Sequence, residues 1–251
     1  MISSVENAHV KDVVRLWKAR ERRATGLFVA EGVREVERAL RAGIVCQALY
    51  VASERLPDWA PPVPVAAARA PEEVSVRVLA KMAYRAEPEG VLGVFEIPRH
   101  ALPAGSDLIL VAVDIEKPGN LGAMARTADA AGADALLVAG TASDPWNPNA
   151  IRASTGAVFT LPIIDATLDL VHALPLHKVA AVVDAPTAYT GADLRQPTAL
   201  IVGAEDEGLD AHWREAADMQ VTIPMRARTA DSLNAATSAA LLLYEAVRQR
   251  G

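Results

Sequence analysis

The chain has 251 residues, 51% hydrophobic, 22% charged and only 4% aromatic, which excludes a disordered chain and suffices for one large domain or two ordinary ones. The single cysteine, Cys46, excludes an internal disulfide or a thiolate metal cluster; with no signal-peptide pattern and no apolar run of membrane-spanning length, a globular cytoplasmic protein is expected. The net charge of −6 hides an asymmetry, 15 basic against 13 acidic side chains in residues 1–100 and 10 against 18 in residues 101–251; on charge alone the basic groups of the first half read either as a face for a polyanion or as a solvated helix face.

Residues 9–23 have the periodicity of an amphipathic helix, with Val10, Val13, Val14 and Trp17 on one side and basic residues on the other. A second helix is expected over Glu31–Arg41, with Val33, Val36 and Leu40 inward and Gly43 as its stop. Ala48–Val51 reads as a strand, Pro57–Pro64 as a loop, Glu72–Met82 as a helix and Gly90–Ile97 as a strand. Two prolines in Pro98–Pro103 mark a linker. The expected division is an N-terminal domain over 1–98, a linker over 99–103 and a second domain over 104–251.

The second domain is more regular. Leu108–Val113 is a continuous apolar strand, followed by a loop with Pro118 and Gly119 and a helix with Leu121, Met124, Ala125 and Ala128 on one face. Ala135–Ala139, Val179–Val183, Leu200–Val202 and Val221–Met225 read as short strands, the kind buried on both faces of a parallel sheet. Asp231–Gln249 is expected as a long closing helix with Leu233, Ala236, Thr237, Ala240, Leu241, Tyr244 and Val247 aligned. This alternation predicts an open α/β domain whose ligands sit in the loops at the carboxyl ends of its strands.

Several chemistries are absent from those loops. No G-x-G-x-x-G follows a strand, and no G-x-S-x-G occurs. Gly203–Gly208 has Walker-like glycine spacing but continues as Leu209-Asp210 where Lys and Ser/Thr are needed. His9, His100, His172, His177 and His212 have no metal-ligand spacing, so no metal is expected. Three polar loops remain. Asn120 reads either as a cap of the helix that follows it or as part of a site, and Arg126 either as a solvated side chain or as a functional one. Glu205 sits between Gly203 and Gly208, whose freedom permits close approach of backbone to a ligand. Ile223-Pro-Met225 is followed by Ser232-Leu-Asn234, with Ser232 placed as a natural N-cap.

In order, the motifs are Asn120-Leu-Gly122-Ala-Met-Ala-Arg126, Gly203-Ala-Glu205-Asp-Glu-Gly208-Leu209, Ile223-Pro-Met225 and Ser232-Leu-Asn234. The set resembles the SpoU (TrmH-like) family of RNA ribose 2′-O-methyltransferases, within the SPOUT superfamily. Ile151-Arg-Ala-Ser-Thr-Gly156, Leu242-Leu-Tyr-Glu245, Phe28-Val-Ala-Glu31-Gly32 and Pro88-Glu-Gly90 extend the likeness over nearly the whole chain. Ala204 departs from it, standing where the family often has Asn, and Ala235-Ala236 stand where Val-Ser is common.

The resemblance implies an α/β fold: a SPOUT-type parallel sheet with a C-terminal trefoil knot, preceded by a smaller α/β substrate-binding domain. It implies S-adenosylmethionine held against Gly203, Ile223, Met225 and Leu233. Arg126 would act at the 2′-hydroxyl of an RNA ribose, with Asn120, Glu205, Ser232 and Asn234 orienting arginine and ribose. Ribosomal RNA is expected ahead of transfer RNA, with no metal and no membrane. A homodimer is implied through the C-terminal domain, and the alanine face of the last helix (Ala235, Ala236, Ala239, Ala240) suits close packing against a twin. Two other readings carry different expectations: a non-catalytic RNA-binding or ribosome-assembly protein keeping the fold, and a metabolic enzyme acting on a small molecule. Methyl transfer to RNA separates all three.

Overall fold

The computed structural model describes residues 1–58, 70–140, 144–226, 229 and 231–251. The chain forms two compact units, one of Met1–Pro98 with Trp146–Thr160 and one of Arg99–Pro145 with Leu161–Gly251.

The first unit begins with two helices, α1 (Ala8–Arg15) and α2 (Ala19–Thr25), where periodicity alone predicts one over 9–23. The break has a cause. The buried Arg22 donates from Nη1 to the Leu16 carbonyl at 2.5 Å, and Trp17 donates from Nε1 to the Met82 carbonyl at 3.1 Å, so both the turn and its indole are held elsewhere. Strand β1 (Leu27–Glu31) comes next. Glu31 is thus the end of a strand and not the start of a helix, because Gly32, at φ +100°, turns the chain into α3 (Val33–Arg41). The helix closes at Ala42, just ahead of Gly43, and buries Val33, Val36 and Ala39.

Strand β2 (Cys46–Val51) starts two residues before the expected Ala48. Residues 59–64 of the expected Pro57–Pro64 loop lie outside the described residues. The expected helix over Glu72–Met82 is a two-residue strand β3 (Glu72–Glu73) and a helix α4 (Val76–Met82). Ser75 separates them, its hydroxyl capping α4 by accepting from the Val78 N–H at 3.3 Å. Strand β4 (Val91–Glu96) completes a sheet of order β1-β4-β2-β3, antiparallel except for the β2–β3 pair. Val10, Val13, Val78, Leu79, Met82 and Leu92 form a core shared by α1, α4 and the sheet.

Trp146–Thr160, which a cut at residues 99–103 assigns to the second domain, packs with the first unit. The reason lies in the aromatics. All three phenylalanines of the chain gather there: Phe28 lies 5.6 Å from Phe95 and 5.8 Å from Phe159, centroid to centroid, and 4.8 Å from Trp146. Helix α6 (Pro148–Ala153) runs through this segment, and Arg38 of α3 donates to the Thr155 carbonyl beyond it.

The second unit is built on a six-stranded parallel sheet of order β10-β8-β9-β5-β6-β7. Its strands are β5 (Leu108–Val113), β6 (Ala135–Ala139), β7 (Ile163–Ala166), β8 (His177–Ala181), β9 (Thr198–Val202) and β10 (Met219–Val221). The central strands are buried on both faces, as their uninterrupted apolar runs predict. Helices α5 (Pro118–Ala130) and α9 (Ala235–Arg250) pack together and against β5, β6 and β9. Helices α7 (Leu168–His172) and α8 (Ala211–Glu215) supply Val171 and Trp213 to a core with Ile109, Val111, Leu137 and Ile201.

Three expectations shift. The strand expected over Val179–Val183 lies two residues earlier, and the one expected over Val221–Met225 ends at Val221, so Ile223–Met225 is loop. The last helix begins at Ala235 and not at Asp231. Its buried face is Ala235, Ala239, Leu242, Leu243 and Ala246, leaving Leu241 (36% exposed) and Tyr244 (51% exposed) outward. Alanine and leucine on several sides give this helix no sharp stripe, so period alone misplaces the face. Ala235 and Ala239, expected against a twin, are buried in their own chain. Among the described residues no helix is long and apolar enough to cross a membrane.

Candidate active site

The order of the sheet fixes where a site can form. From β5 the chain moves outward through β6 and β7, then re-enters on the other side of β5 through β8 and β9. The strand order therefore reverses between β5 and β9, and the loops leaving their carboxyl ends face one crevice. Those loops begin at Asp114 after β5 and at Gly203 after β9, and the described residues 222–226 and 231–234 follow β10.

The three loops meet through side-chain amides and one carboxylate. Asn120 Nδ2 donates to Glu205 Oε1 at 2.6 Å, and Asn234 Nδ2 donates to the same oxygen and to Asn120 Oδ1 at 3.1 Å. Lys117 Nζ donates to the other oxygen, Glu205 Oε2. The hydrogen bond from Lys117, with help from Asn120, holds the Glu205 carboxyl below the usual carboxylate range, against a desolvation that raises it. The same contact raises Lys117. Glu205 is thereby an ionised acceptor with both oxygens engaged, its side chain 17% exposed against 67% for Lys117.

Both capping readings are corrected. Asn120 is the third residue of α5, behind an N-cap at Lys117 and a first-turn Pro118, so its amide is free to leave the helix end and reach Glu205. Ser232 lies before the last helix and does not cap it. Asn234 does, accepting at Oδ1 from the N–H groups of Ala236 (3.0 Å) and Thr237 (3.2 Å).

Beside this network opens a cleft of about 550 Å³, a ligand-sized volume. The four residues expected to hold a cofactor, Gly203, Ile223, Met225 and Leu233, all line it, as do Glu205 and Ser232. The Gly203–Leu209 loop is folded tightly on itself: Gly208 N–H donates to the Ala204 carbonyl at 3.0 Å, and a Cβ at Gly203 would stand 2.4 Å from the Gly208 carbonyl oxygen. Gly203 is thus required by its own loop, a reason that its sequence context did not disclose. Among the described residues Asp184, Glu205, Asp206, Glu207 and Asp231 line the cleft with one cation, Arg214, which is paired with Asp184 at 2.7 Å. Such a wall favours a ligand carrying positive charge.

Arg126 is not drawn into the network. It is exposed, on the side of α5 away from Leu121, Met124 and Ala128, and has no hydrogen bond or ion pair among the described residues. Lys117 is the member of the network that motif reading missed. Its signal was local: a lysine directly before the Pro118 that starts a helix stands at the helix mouth, beside whatever the first turn presents.

Comparison with known proteins places these features in a family. Residues 107–244 match the model of the SpoU rRNA Methylase family, and residues 7–93 match that of the MRM3-like substrate binding domain. A 23S rRNA (uridine(2479)-2′-O)-methyltransferase of Streptomyces viridochromogenes is 35% identical over 92% of this chain and 85% of its own. A solved RNA 2′-O ribose methyltransferase is 46% identical, with a TM-score of 0.84 over 99% of this chain and 98% of that one. An AdoMet-bound rRNA methyltransferase from Sinorhizobium meliloti is 32% identical, with a TM-score of 0.86 over 98% of this chain and 97% of its own. The chain belongs to the SpoU rRNA Methylase family.

Proposed function

We propose that this protein transfers a methyl group from S-adenosylmethionine to a ribose 2′-hydroxyl of RNA, with ribosomal RNA as the substrate class. The observation that carries the reading is the meeting of Asn120, Glu205 and Asn234 beside an acidic, backbone-walled cleft at the switch point of the sheet. The names of the relatives support the reaction and the ribosomal RNA class, and the AdoMet-bound relative supports the cofactor.

S-adenosylmethionine supplies the methyl group as part of a sulfonium cation, and the carboxylates of the cleft suit that charge. The loop backbone at Gly203, Ile223, Met225 and Leu233 holds the adenosine part, using amide groups that lose little freedom on binding. Ser232, at the rim, contributes a hydroxyl. Glu205 fixes the amides of Asn120 and Asn234 in one orientation, so that the ribose meets a preset surface. Arg126, unpaired and exposed, clamps the ribose and a neighbouring phosphate with its planar fork. Its charge lowers the pKa of the 2′-hydroxyl; the proton leaves to that phosphate or to water as the C–O bond forms and the C–S bond breaks.

The same reading carries three finer features: a C-terminal trefoil knot, a homodimer and a cytoplasmic location. The outward Leu241 and Tyr244 of α9 support the dimer.

The test is Arg126→Ala and Arg126→Lys in single-turnover methylation of RNA across pH. Arg126→Ala should cost at least ~10²-fold in rate, as removal of one preorganised anion-stabilising donor does, with S-adenosylmethionine affinity unchanged. Arg126→Lys should restore little, since an ammonium lacks the fork. A near-normal rate for Arg126→Ala overturns the role, and rescue by Lys that grows with pH replaces the clamp with a base.

A further inference from the structure

Tyr84, in the first unit, points to a second contact with the substrate. It is a large ring left 44% exposed in a chain with few aromatics, and both its backbone and its side chain are tied down. Its N–H donates to Glu31 at 2.8 Å, and the N–H of Arg85 donates to the same carboxylate at 3.3 Å. Trp17 meets the ring edge-on, centroids 6.2 Å apart and planes at 84°, and is itself anchored on Met82. The Tyr84 hydroxyl accepts from Asn149 Nδ2 at 3.3 Å, and Asn149 Oδ1 accepts from Arg152 at 2.9 Å.

We propose that Tyr84 is a stacking platform for an unpaired base of the RNA substrate, with Asn149 and Arg152 at the edge of that base. The proposal rests on the RNA reading above. A ring met edge-on by an indole and tied at its hydroxyl to an amide, on a backbone pinned to a buried carboxylate, has little freedom left to lose when a base lies on it. Every base has a π-face, so stacking needs no particular sequence. Arg152 spends one N–H on Asn149 and keeps the rest of its fork for a base edge or a phosphate. The nearby carboxylates do not oppose this: Glu31 is buried, and Glu35 and Glu89 are paired with Arg85 at 3.6 and 3.1 Å.

The experiment measures binding of the full-length protein to a short unstructured RNA and to the same ribose-phosphate chain without bases, at two salt concentrations. Tyr84→Ala should weaken RNA binding about 5- to 100-fold, the range for loss of one stacked base, and leave the abasic chain unaffected. Because stacking releases no counterions, the loss should be equal at both salt concentrations. Tyr84→Leu, which keeps apolar bulk against Trp17, should lose as much, and Tyr84→Phe should bind like the parent. Unchanged RNA binding by Tyr84→Ala, or an equal loss for RNA and the abasic chain, overturns the platform. If RNA is methylated normally while either result holds, only the platform falls; if the parent protein neither binds nor methylates RNA, both readings fall.

Discussion

Asn234 and Glu205 are joined by an amide that does two jobs: its Nδ2 donates to Glu205 Oε1 while its Oδ1 caps α9 at Ala236 and Thr237. Helix start and site geometry are therefore one piece of chemistry, and a pair of substitutions can separate them. Asn234→Ala should remove both, costing about 1 kcal/mol of stability for the cap. Asn234→Asp keeps an oxygen for the cap but sets a second carboxylate against Glu205, whose pKa rises in response. Urea unfolding should show the Asp variant near the parent, and single-turnover methylation should show it as impaired as the Ala variant. An Asp variant that methylates normally would remove the Asn234–Glu205 contact from the mechanism.

Lys117 should set the acid limb of the rate profile through its hydrogen bond to Glu205. It is the largest cause of the depressed Glu205 pKa, so Lys117→Met should let that pKa climb back toward the ordinary 4.5. A depressed carboxylate contributes above its unfolded pKa and loses that contribution as pH falls through its folded one. The acid limb of the rate profile should therefore shift to higher pH in Lys117→Met and return in Lys117→Arg. Carbon-13 titration of the Glu205 carboxylate reads the same shift directly, and an unmoved titration refutes the assignment.

Gly203→Ala tests whether the cleft wall depends on a closed loop. The new methyl would press on the Gly208 carbonyl, a backbone atom that cannot swing aside as a side chain would. The cost should be about 1–3 kcal/mol of stability, as for overpacking elsewhere, and calorimetry should show weakened S-adenosylmethionine binding. Ser232→Ala, at the rim and without a capping role, should lose much less. Equal losses in the two variants would mean that side chains and not backbone define the pocket.

Glu245 should govern acid sensitivity of the last helix. Hydrogen bonds from Arg248 (2.7 and 2.8 Å), then from Gln249 (2.8 Å), take its pKa down to about 2. Gln249 passes the tie onward, donating to the Ala192 carbonyl and accepting from the Leu194 N–H, both at 2.9 Å. By the sign of the shift, this stabilisation is complete above pH 4.5 and fades as pH falls toward 2. Glu245→Gln should be less stable than the parent at neutral pH and converge with it in strong acid. Urea midpoints measured across that window decide it; a constant gap would assign the effect to packing.

Much of this was legible in the sequence, for uneven reasons. The strands of the parallel sheet were readable because burial on both faces leaves an uninterrupted apolar run, as in Leu108–Val113. The motif residues Asn120, Glu205 and Asn234 were legible as a set, and the structure brings them into contact. Their division of labour was not. Asn120 and Ser232 both stand where a cap belongs, and only the fold shows that Lys117 takes the first N-cap position and Asn234 the second. The break after Arg15 was hidden because a buried arginine folded back onto the Leu16 carbonyl and a long-range indole bond to Met82 override a good local helix period. The site's Lys117 carried no motif, and Arg126 stands exposed and apart from the network, so the fold adds nothing to what its motif already suggested.

The return of Trp146–Thr160 to the first unit has a consequence for how the chain comes into being. During synthesis the ring of Phe28 emerges early, yet two of its aromatic neighbours, Trp146 and Phe159, follow more than a hundred residues later. By then β5 and β6 of the second sheet have already been made. The first unit therefore cannot finish on the ribosome before the second has begun, and the usual order of one domain completing ahead of the next does not apply. A nascent chain stopped at residue 98 carries an unsatisfied aromatic face. Such a fragment leaves apolar surface open to aggregation, and a pause in translation between residues 98 and 160 would lengthen that exposure.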